Sequence, residues 1–364
     1  VTVVRTPWLH VGQSAAALAA SMGIGRFVFT PILPLMVAQA GLSAQNGAEL
    51  ATANYFGYLV GALAGALPVF RRREVVRASL VTTVLALAAM PVTSSVAIWL
   101  VLRFVAGIAS AVTFVAAVGS ALHHLRGHLP GWAFGGIGGG IALSGILVLC
   151  SVGDWRVMWW VAAGLAAVIS ALAWNLDDTA ATSTVEDRPR VTRPFAALFV
   201  SYGLEGVGYI IAGTFLVAAL SPGWVGSGAW VIVGLAAIPS AALWAWLGRR
   251  WSRPWLLTVA LVVQAVGVAL PAVVGGVVGA VIAAALFGGT FVGIATLALA
   301  VGADLHFPRS VALLTAGYSV GQILGPVVAG PLLRHGYRPA LVLAAGILLA
   351  GAAAAGVLAR MRPS

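Results

Sequence analysis

Lysine is absent from this sequence: all twenty of its basic residues are arginine. Charged residues of every kind are only 8% of the 364, where a soluble domain carries about 25%. With 61% hydrophobic residues and a mean hydropathy of +1.04, the chain could not cover a water-exposed surface with polar groups. Most of its surroundings must therefore be lipid. Cysteine is nearly absent too. The single Cys150 excludes an intrachain disulfide and, inside an apolar run, reads as a small buried apolar residue. There is no glycine-rich phosphate loop, no nucleophile elbow and no pair of catalytic carboxylates, so no enzyme and no cofactor are expected. The formal charge of +11 would point to nucleic acid in a soluble protein. Here the arginines sit in short loops between apolar runs, so the charge belongs to a membrane surface and no nucleic-acid partner is expected.

A membrane helix needs about 20 mostly apolar residues. Twelve runs qualify, at 9–38, 49–70, 76–93, 96–121, 132–152, 156–175, 194–220, 227–247, 254–273, 277–302, 309–333 and 338–360. The longest loop holds Asp177, Asp178, Glu186, Asp187, Arg188 and Arg190. It divides the chain into a six-helix bundle at 1–175, a linker at 176–193 and a second bundle at 194–364. With the N-terminus inside, fifteen arginines fall in cytoplasmic segments and three, Arg156, Arg334 and Arg338, in outer loops. The expectation is a multi-pass protein of the cytoplasmic membrane, monomeric, with both termini in the cytoplasm. No small-residue cleavage pattern follows the first apolar run, so no cleavable leader is expected.

Sliding the chain against itself by 183 positions brings the halves into register. Gly23-Ile24-Gly25 falls on Gly206-Val207-Gly208, Phe104 on Phe287, Thr113 on Thr296 and Leu122-His123 on Leu305-His306. Duplicated six-helix halves suit two bundles that rock around a shared site, which favours a carrier over a pore.

Charge within a bilayer costs about 2.5–3.5 kcal/mol on insertion scales, so each intramembrane ionisable residue is a functional candidate. Arg26 lies in the first span, on one helical face with Met22 and Thr30 at i, i+4 and i+8. It reads as an anion site or the partner of a titrating carboxylate; the alternative is a static inter-helix salt bridge. Glu205 lies in the seventh span, flanked on its face by Tyr202 and Tyr209. A carboxylate in low dielectric needs a compensating cation or a proton, so Glu205 is the candidate proton carrier; the alternative is a permanent ion pair with Arg26 or Arg103. Arg103, in the outer half of the fourth span, joins these two unless it snorkels to the outer interface.

Asn54 and Tyr58 make a polar pair in the second span, and Thr315, Tyr318 and Gln322 a polar stripe in the eleventh. Each stripe either lines a cavity or bonds to neighbouring helices. Gly317, Gly321 and Gly325 repeat every four residues, a close-packing face. The fifth span carries Gly131, Gly135, Gly136, Gly138, Gly139 and Gly140, leaving one side nearly bare backbone for helices that slide or pack tightly. Asp304 at the cytoplasmic end of the tenth span and Arg71 and Arg72 after the second are gating candidates. His123, His124 and His128 lack carboxylate or cysteine companions, so no metal is expected there.

The twelve-span, six-plus-six plan resembles the major facilitator superfamily over the whole chain. Within it the sequence is most similar to the YbfB/YjiJ-type bacterial transporters. The resemblance rests on Gly23-Ile24-Gly25-Arg26-Phe27 with Thr30-Pro31 and Pro34, and on Asn54-Tyr55-Phe56-Gly57-Tyr58-Leu59-Val60-Gly61. It rests also on Tyr202-Gly203-Leu204-Glu205-Gly206-Val207-Gly208-Tyr209 and Gly317-Tyr318-Ser319-Val320-Gly321-Gln322 with Gly325-Pro326. The resemblance implies an all-α major facilitator fold, alternating access and, through Arg103 with Gly107, a proton-relay arginine in the fourth span. Three features depart from the superfamily's patterns. Ala106 stands where glutamine is usual, the acidic residue ahead of Arg71-Arg72-Arg73 is missing, and Ser144-Gly145 stands where exporters carry Gly-Pro. The expected function is proton-coupled transport of a small organic solute, with Arg26, Arg103 and Glu205 at its centre. A proton-driven multidrug exporter and a non-transporting membrane sensor or assembly protein are the alternatives.

Overall fold

The computed structural model describes residues 7–65, 67–126, 129–150, 153–176, 192–220, 224–274, 276–307 and 310–361, except the side chains of Pro68 and Arg71. The linker expected at 176–193 lies almost wholly outside the described residues, as do His128 and the Arg71 side chain. Among the described residues there is no strand. Lipid cannot hydrogen-bond a bare backbone, so an apolar chain of this kind satisfies its N–H and C=O groups within helices.

The helices are α1 (Pro7–Leu18), α2 (Phe29–Ala40), α3 (Ala44–Gly65), α4 (Arg73–Ala89), α5 (Val96–His124), α6 (Leu129–Leu149) and α7 (Trp155–Leu172) in the first half. The second half holds α8 (Arg193–Leu220), α9 (Trp224–Leu247), α10 (Arg253–Val273), α11 (Gly276–Asp304), α12 (Ser310–Ala329) and α13 (Arg338–Met361). Together α1 and α2 make one crossing, so there are twelve among the described residues. Eleven are long and apolar enough to span a membrane by composition alone. The remaining one, α3, carries Gln45, Asn46, Glu49 and Asn54 and lies between α5 and α12. The repeat is visible in the elements: α5 and its mate α11 are both 29 residues long.

The first crossing differs from the sequence expectation of one continuous helix. Ala19–Ile24 form a π-helical turn, in which Gly25 N–H reaches back to Ala20 O and Phe27 N–H to Met22 O. Pro31 then has no N–H to give the carbonyl of Phe27, which is taken by Thr30 N–H instead. The regular i, i+4, i+8 face drawn through Met22, Arg26 and Thr30 therefore does not exist. Arg26 sits in the break itself. The crossing ends at Gly41, whose left-handed φ of 68° closes α2 onto Met36 O.

Arginine side chains tie the helix ends on one face. Arg77 donates to Trp174 O and Asn175 Oδ1, joining α4 to the end of α7. Arg253 and Asp304 form a 2.7 Å ion pair between α10 and α11. On the opposite face Arg156 reaches Pro91 O and Ser94 Oγ. Apolar side chains such as Leu85, Val168, Leu172 and Val278 point outward to the lipid. Cys150, expected to be buried, is exposed just past the end of α6, where it lines a surface groove with Met158 and Val161 of α7.

The two halves meet along three seams: α6 on α9, α3 on α12, and α2 on α8. The glycines of α6 serve two faces rather than one. Gly131, Gly135, Gly138 and Gly145 lie against α9, while Gly136 and Gly140 lie against α1 and the π turn. A Cβ at Gly138 would stand 2.6 Å from Gly234 O, so only glycine allows the two backbones this close. Gly317, Gly321 and Gly325 pack α12 on α8 within the second half, a Cβ at Gly321 standing 3.0 Å from Val207 N.

Candidate substrate and coupling site

Arg26, Arg103 and Glu205 are all buried, at 2%, 2% and 1% exposure. A buried ion carries a desolvation penalty of several kcal/mol unless it is paired. These three are not paired with one another: among the described residues neither arginine lies within ion-pair distance of Glu205. A permanent Arg–Glu bridge is thereby excluded in this conformation.

Arg103 does not snorkel. It points inward from α5, and its Nη1 and Nη2 donate to Gly25 O and Arg26 O at 3.4 and 3.1 Å. Phe29 lies under its guanidinium at 4.9 Å. Arg103 thus holds the carbonyls exposed by the break in the first crossing. Asn54 supports it from α3 by donating Nδ2–H to Arg103 O at 2.9 Å. The approach of α3 to α5 depends on Gly107, where a Cβ would stand 2.9 Å from Tyr58 N.

Arg26 is free where Arg103 is engaged. Its Nε and Nη2 have no hydrogen-bond partner in the protein. Those two N–H groups share one edge of the guanidinium and form the fork that binds a carboxylate with two parallel hydrogen bonds. The rings of Tyr58, Tyr55 and Phe27 lie around the cation at 4.3, 4.8 and 5.3 Å. Each such desolvated contact contributes up to about 2 kcal/mol, which offsets part of the burial penalty without using a donor.

Glu205 projects from α8 between Tyr202 and Tyr209, as the heptad spacing required. Gln264 from the middle of α10 and Tyr318 from α12 face its carboxyl. Neither carboxylate oxygen makes a hydrogen bond of good geometry, and neither does either amide atom of Gln264. Tyr318 stacks on Tyr202 at 4.5 Å and on Tyr209 at 5.5 Å. Gln322 donates Nε2–H to Tyr209 Oη at 2.7 Å. Tyr202, Glu205, Tyr209, Tyr318 and Gln322 therefore form one cluster on the second half. Thr315, the third member of the expected stripe, bonds only its own helix at Val311 O.

The clusters meet across the middle of the molecule. Thr30 donates to Gly213 O at 2.5 Å, and Tyr55 Oη lies 2.8 Å from Thr214 Oγ1. Thr30 and Gly213 are 183 residues apart, the spacing of the repeat. Equivalent positions of two related halves touch each other only on the axis that relates them, so this contact marks the pseudo-twofold. Phe27 meets Phe291 edge-on at 5.8 Å and Trp230 at 6.3 Å.

Among the gating candidates, Asp304 is bound to Arg253 inside the second half, so this pair joins two helices of one bundle. Arg72 is exposed on the arginine-rich face. His123 and His124 lie in the last turn of α5, where His124 stacks on His10 of α1 at 4.6 Å and bonds Ser120 O.

Sequence reasoning missed Tyr55 and Gln264. Tyr55 sits between Asn54 and Tyr58 and was passed over because it breaks their i, i+4 spacing. Gln264 had a plain signal, since it is the one amide inside an otherwise apolar α10.

Two six-crossing bundles meeting at buried, unpaired charges on the paired first and seventh crossings define a membrane transporter of the two-bundle class. The family described as uncharacterised MFS-type transporter YbfB matches residues 18–356, and the chain belongs to that family. Among solved structures, the nucleoside transporter NupG shares the fold at a TM-score of 0.75 and 13% identity, over 96% of this chain and 99% of that one. No curated protein matches the sequence.

Proposed function

We propose that this protein is a proton-coupled secondary transporter of a small organic anion, working by alternating access of the bundles at 1–175 and 194–364. It works as a monomer in the cytoplasmic membrane, with both termini in the cytoplasm and no cofactor. The observation that carries the reading is Arg26: a buried guanidinium whose two-donor edge has no acceptor, at the junction of the halves. A substrate carboxylate supplies that acceptor. Arg103 shapes the site by holding the Gly25 and Arg26 carbonyls. Glu205 is the proton carrier, separated from the substrate by the tyrosine stack and open to Gln264 and Tyr318. Bundle motion changes what faces Glu205, so proton uptake and release follow the side to which the site opens.

One observation favours a second reading. Glu205 is an unpaired carboxylate among the rings of Tyr202 and Tyr318, an environment that attracts organic cations. That reading is a proton-driven multidrug exporter.

A thermal-shift screen against organic anions, neutral metabolites and cationic drugs, at neutral and mildly acidic pH, separates the two. A ligand at about 100 times its Kd stabilises by about 2.7 kcal/mol. Stabilisation by anions that Arg26→Ala abolishes supports the anion carrier. Stabilisation by cationic drugs that Glu205→Gln abolishes overturns it in favour of the exporter. Flux in proteoliposomes then tests transport itself; a protein that binds anions without moving them is a sensor.

A further inference from the structure

We infer that the Arg26 site takes a monocarboxylate carried on a flat aromatic body, an inference that rests on the anion-carrier reading above and narrows its substrate class.

The charge of the substrate follows from how the two guanidiniums are used. Both terminal nitrogens of Arg103 donate to main-chain carbonyls, so it stabilises the break rather than a ligand. Arg26 alone offers an empty fork, and the fork has two donors. That matches one carboxylate, whose two oxygens accept two parallel N–H bonds in the guanidinium plane. A dianion needs a second cation with a free pair of donors beside the first, and Arg103, the neighbouring cation, has both terminal nitrogens on main-chain carbonyls and only its Nε unbonded. Arg77, Arg126, Arg156 and Arg253 are instead engaged at helix ends on the two membrane faces.

The body of the substrate follows from what surrounds the fork. Tyr55 and Tyr58 lie close to the guanidinium carbon, at 4.8 and 4.3 Å, and the unbonded Nε–Nη2 edge is the side an acceptor can use. Beyond Phe27 the wall contributed by the second half is a run of rings. Tyr202 and Tyr318 lie within 17° of parallel, Tyr318 and Tyr209 within 12°, Tyr209 and Phe291 within 21°, and Phe291 and Phe287 within 11°. Parallel rings present flat faces and gain most from another flat π surface. The fork is shut off from solvent in this conformation, and the ligand enters when the Phe27–Phe291 and Tyr55–Thr214 contacts part.

The test is calorimetric titration of the full chain in lipid nanodiscs with four probes. These are benzoate, cyclohexanecarboxylate of the same charge, neutral benzamide, and the dianion phthalate. Benzoate is expected to bind at least about threefold to tenfold more tightly than cyclohexanecarboxylate, the range that ring-on-ring contact supplies. Benzamide and phthalate are expected to bind more weakly still. Arg26→Lys keeps the charge and loses the fork, and is expected to weaken benzoate about tenfold or more. Phe291→Leu is expected to weaken benzoate more than cyclohexanecarboxylate, which guards against a poorly folded Arg26 variant; a thermal transition verifies each protein. If cyclohexanecarboxylate or phthalate binds as well as benzoate and Arg26→Lys still abolishes binding, the substrate class is wrong and the anion carrier stands. If benzamide binds as well as benzoate and Arg26→Lys changes nothing, the anion-carrier reading fails with it. Binding of none of the four by folded protein overturns the aromatic class.

Discussion

Removing the two hydroxyl links that join the first and second crossings to the seventh should shift the protein towards open conformations. Thr30 donates to Gly213 O, and Tyr55 must donate to Thr214 Oγ1, because that hydroxyl already gives its own proton to Ile210 O at 2.7 Å. Thr30→Val and Tyr55→Phe delete these donors and leave only acceptors that are satisfied within α8. Tyr55→Phe also keeps the ring over Arg26. Neither change strands a buried donor, so each removes only the net worth of a hydrogen bond, about 0.5–1.5 kcal/mol. If both bonds break when the halves part, the double variant loses about 1–3 kcal/mol of bias, a shift of about 5- to 150-fold. Spin labels at Ala38 of α2 and Leu220 of α8, in a background with Cys150→Ala, report the separation of the first and seventh crossings, and with it of the two halves, by pulsed electron resonance. A longer-distance population should grow in each single variant and dominate, or nearly so, in the double. Unchanged distance distributions in folded double variant would refute the idea that these bonds latch the bundles.

Other consequences are open to direct measurement. Glu205→Gln should keep counterflow of bound solute and lose acceleration by a proton gradient; gradient-driven uptake at the parent rate would remove Glu205 from coupling. Gln264→Leu should impair gradient-driven uptake in the same way while counterflow persists, and parent-like uptake would show that Gln264 has no part in it. Gly138→Val should lower the thermal transition through overpacking worth about 1–3 kcal/mol, since a Cβ there meets Gly234 O at 2.6 Å. Gly139→Ala, which meets nothing within 4 Å, should be neutral or raise it by about 1 kcal/mol; equal effects at the two positions would contradict the seam geometry. Arg253→Ala should change stability by no more than about 1 kcal/mol, because its pair with Asp304 is 38% and 40% exposed. A larger loss would mean that the pair does more than tie α10 to α11.

Much of the centre was legible because lipid makes polar residues conspicuous. Arg26 and Glu205 stood out against apolar neighbours, and so did the Tyr202–Glu205–Tyr209 and Tyr318–Gln322 spacings, which the helices preserve. The break in the first crossing was less legible. Gly23, Gly25 and Pro31 permit it, but a π turn differs from an α turn by one residue per hydrogen bond, and the hydrophobic pattern does not register that. Thr315 does not share the contacts of Tyr318 and Gln322, because i, i+3 spacing fixes a face only approximately and its hydroxyl has an acceptor in its own helix.

Composition alone determined that this chain spans a membrane as helices. Apolar runs need lipid, and lipid forbids unbonded backbone. The repeat determined that the helices divide six and six, because related sequences fold alike. Which charges are paired was decided only by the tertiary structure. Both Arg26 and Arg103 are single arginines in apolar spans, and nothing local tells them apart. The break in the first crossing places two carbonyls in front of Arg103 and none in front of Arg26, and packing from α3 surrounds Arg26 with rings. One arginine thereby becomes a brace and the other an open fork, a difference that depends on contacts between residues far apart in the chain.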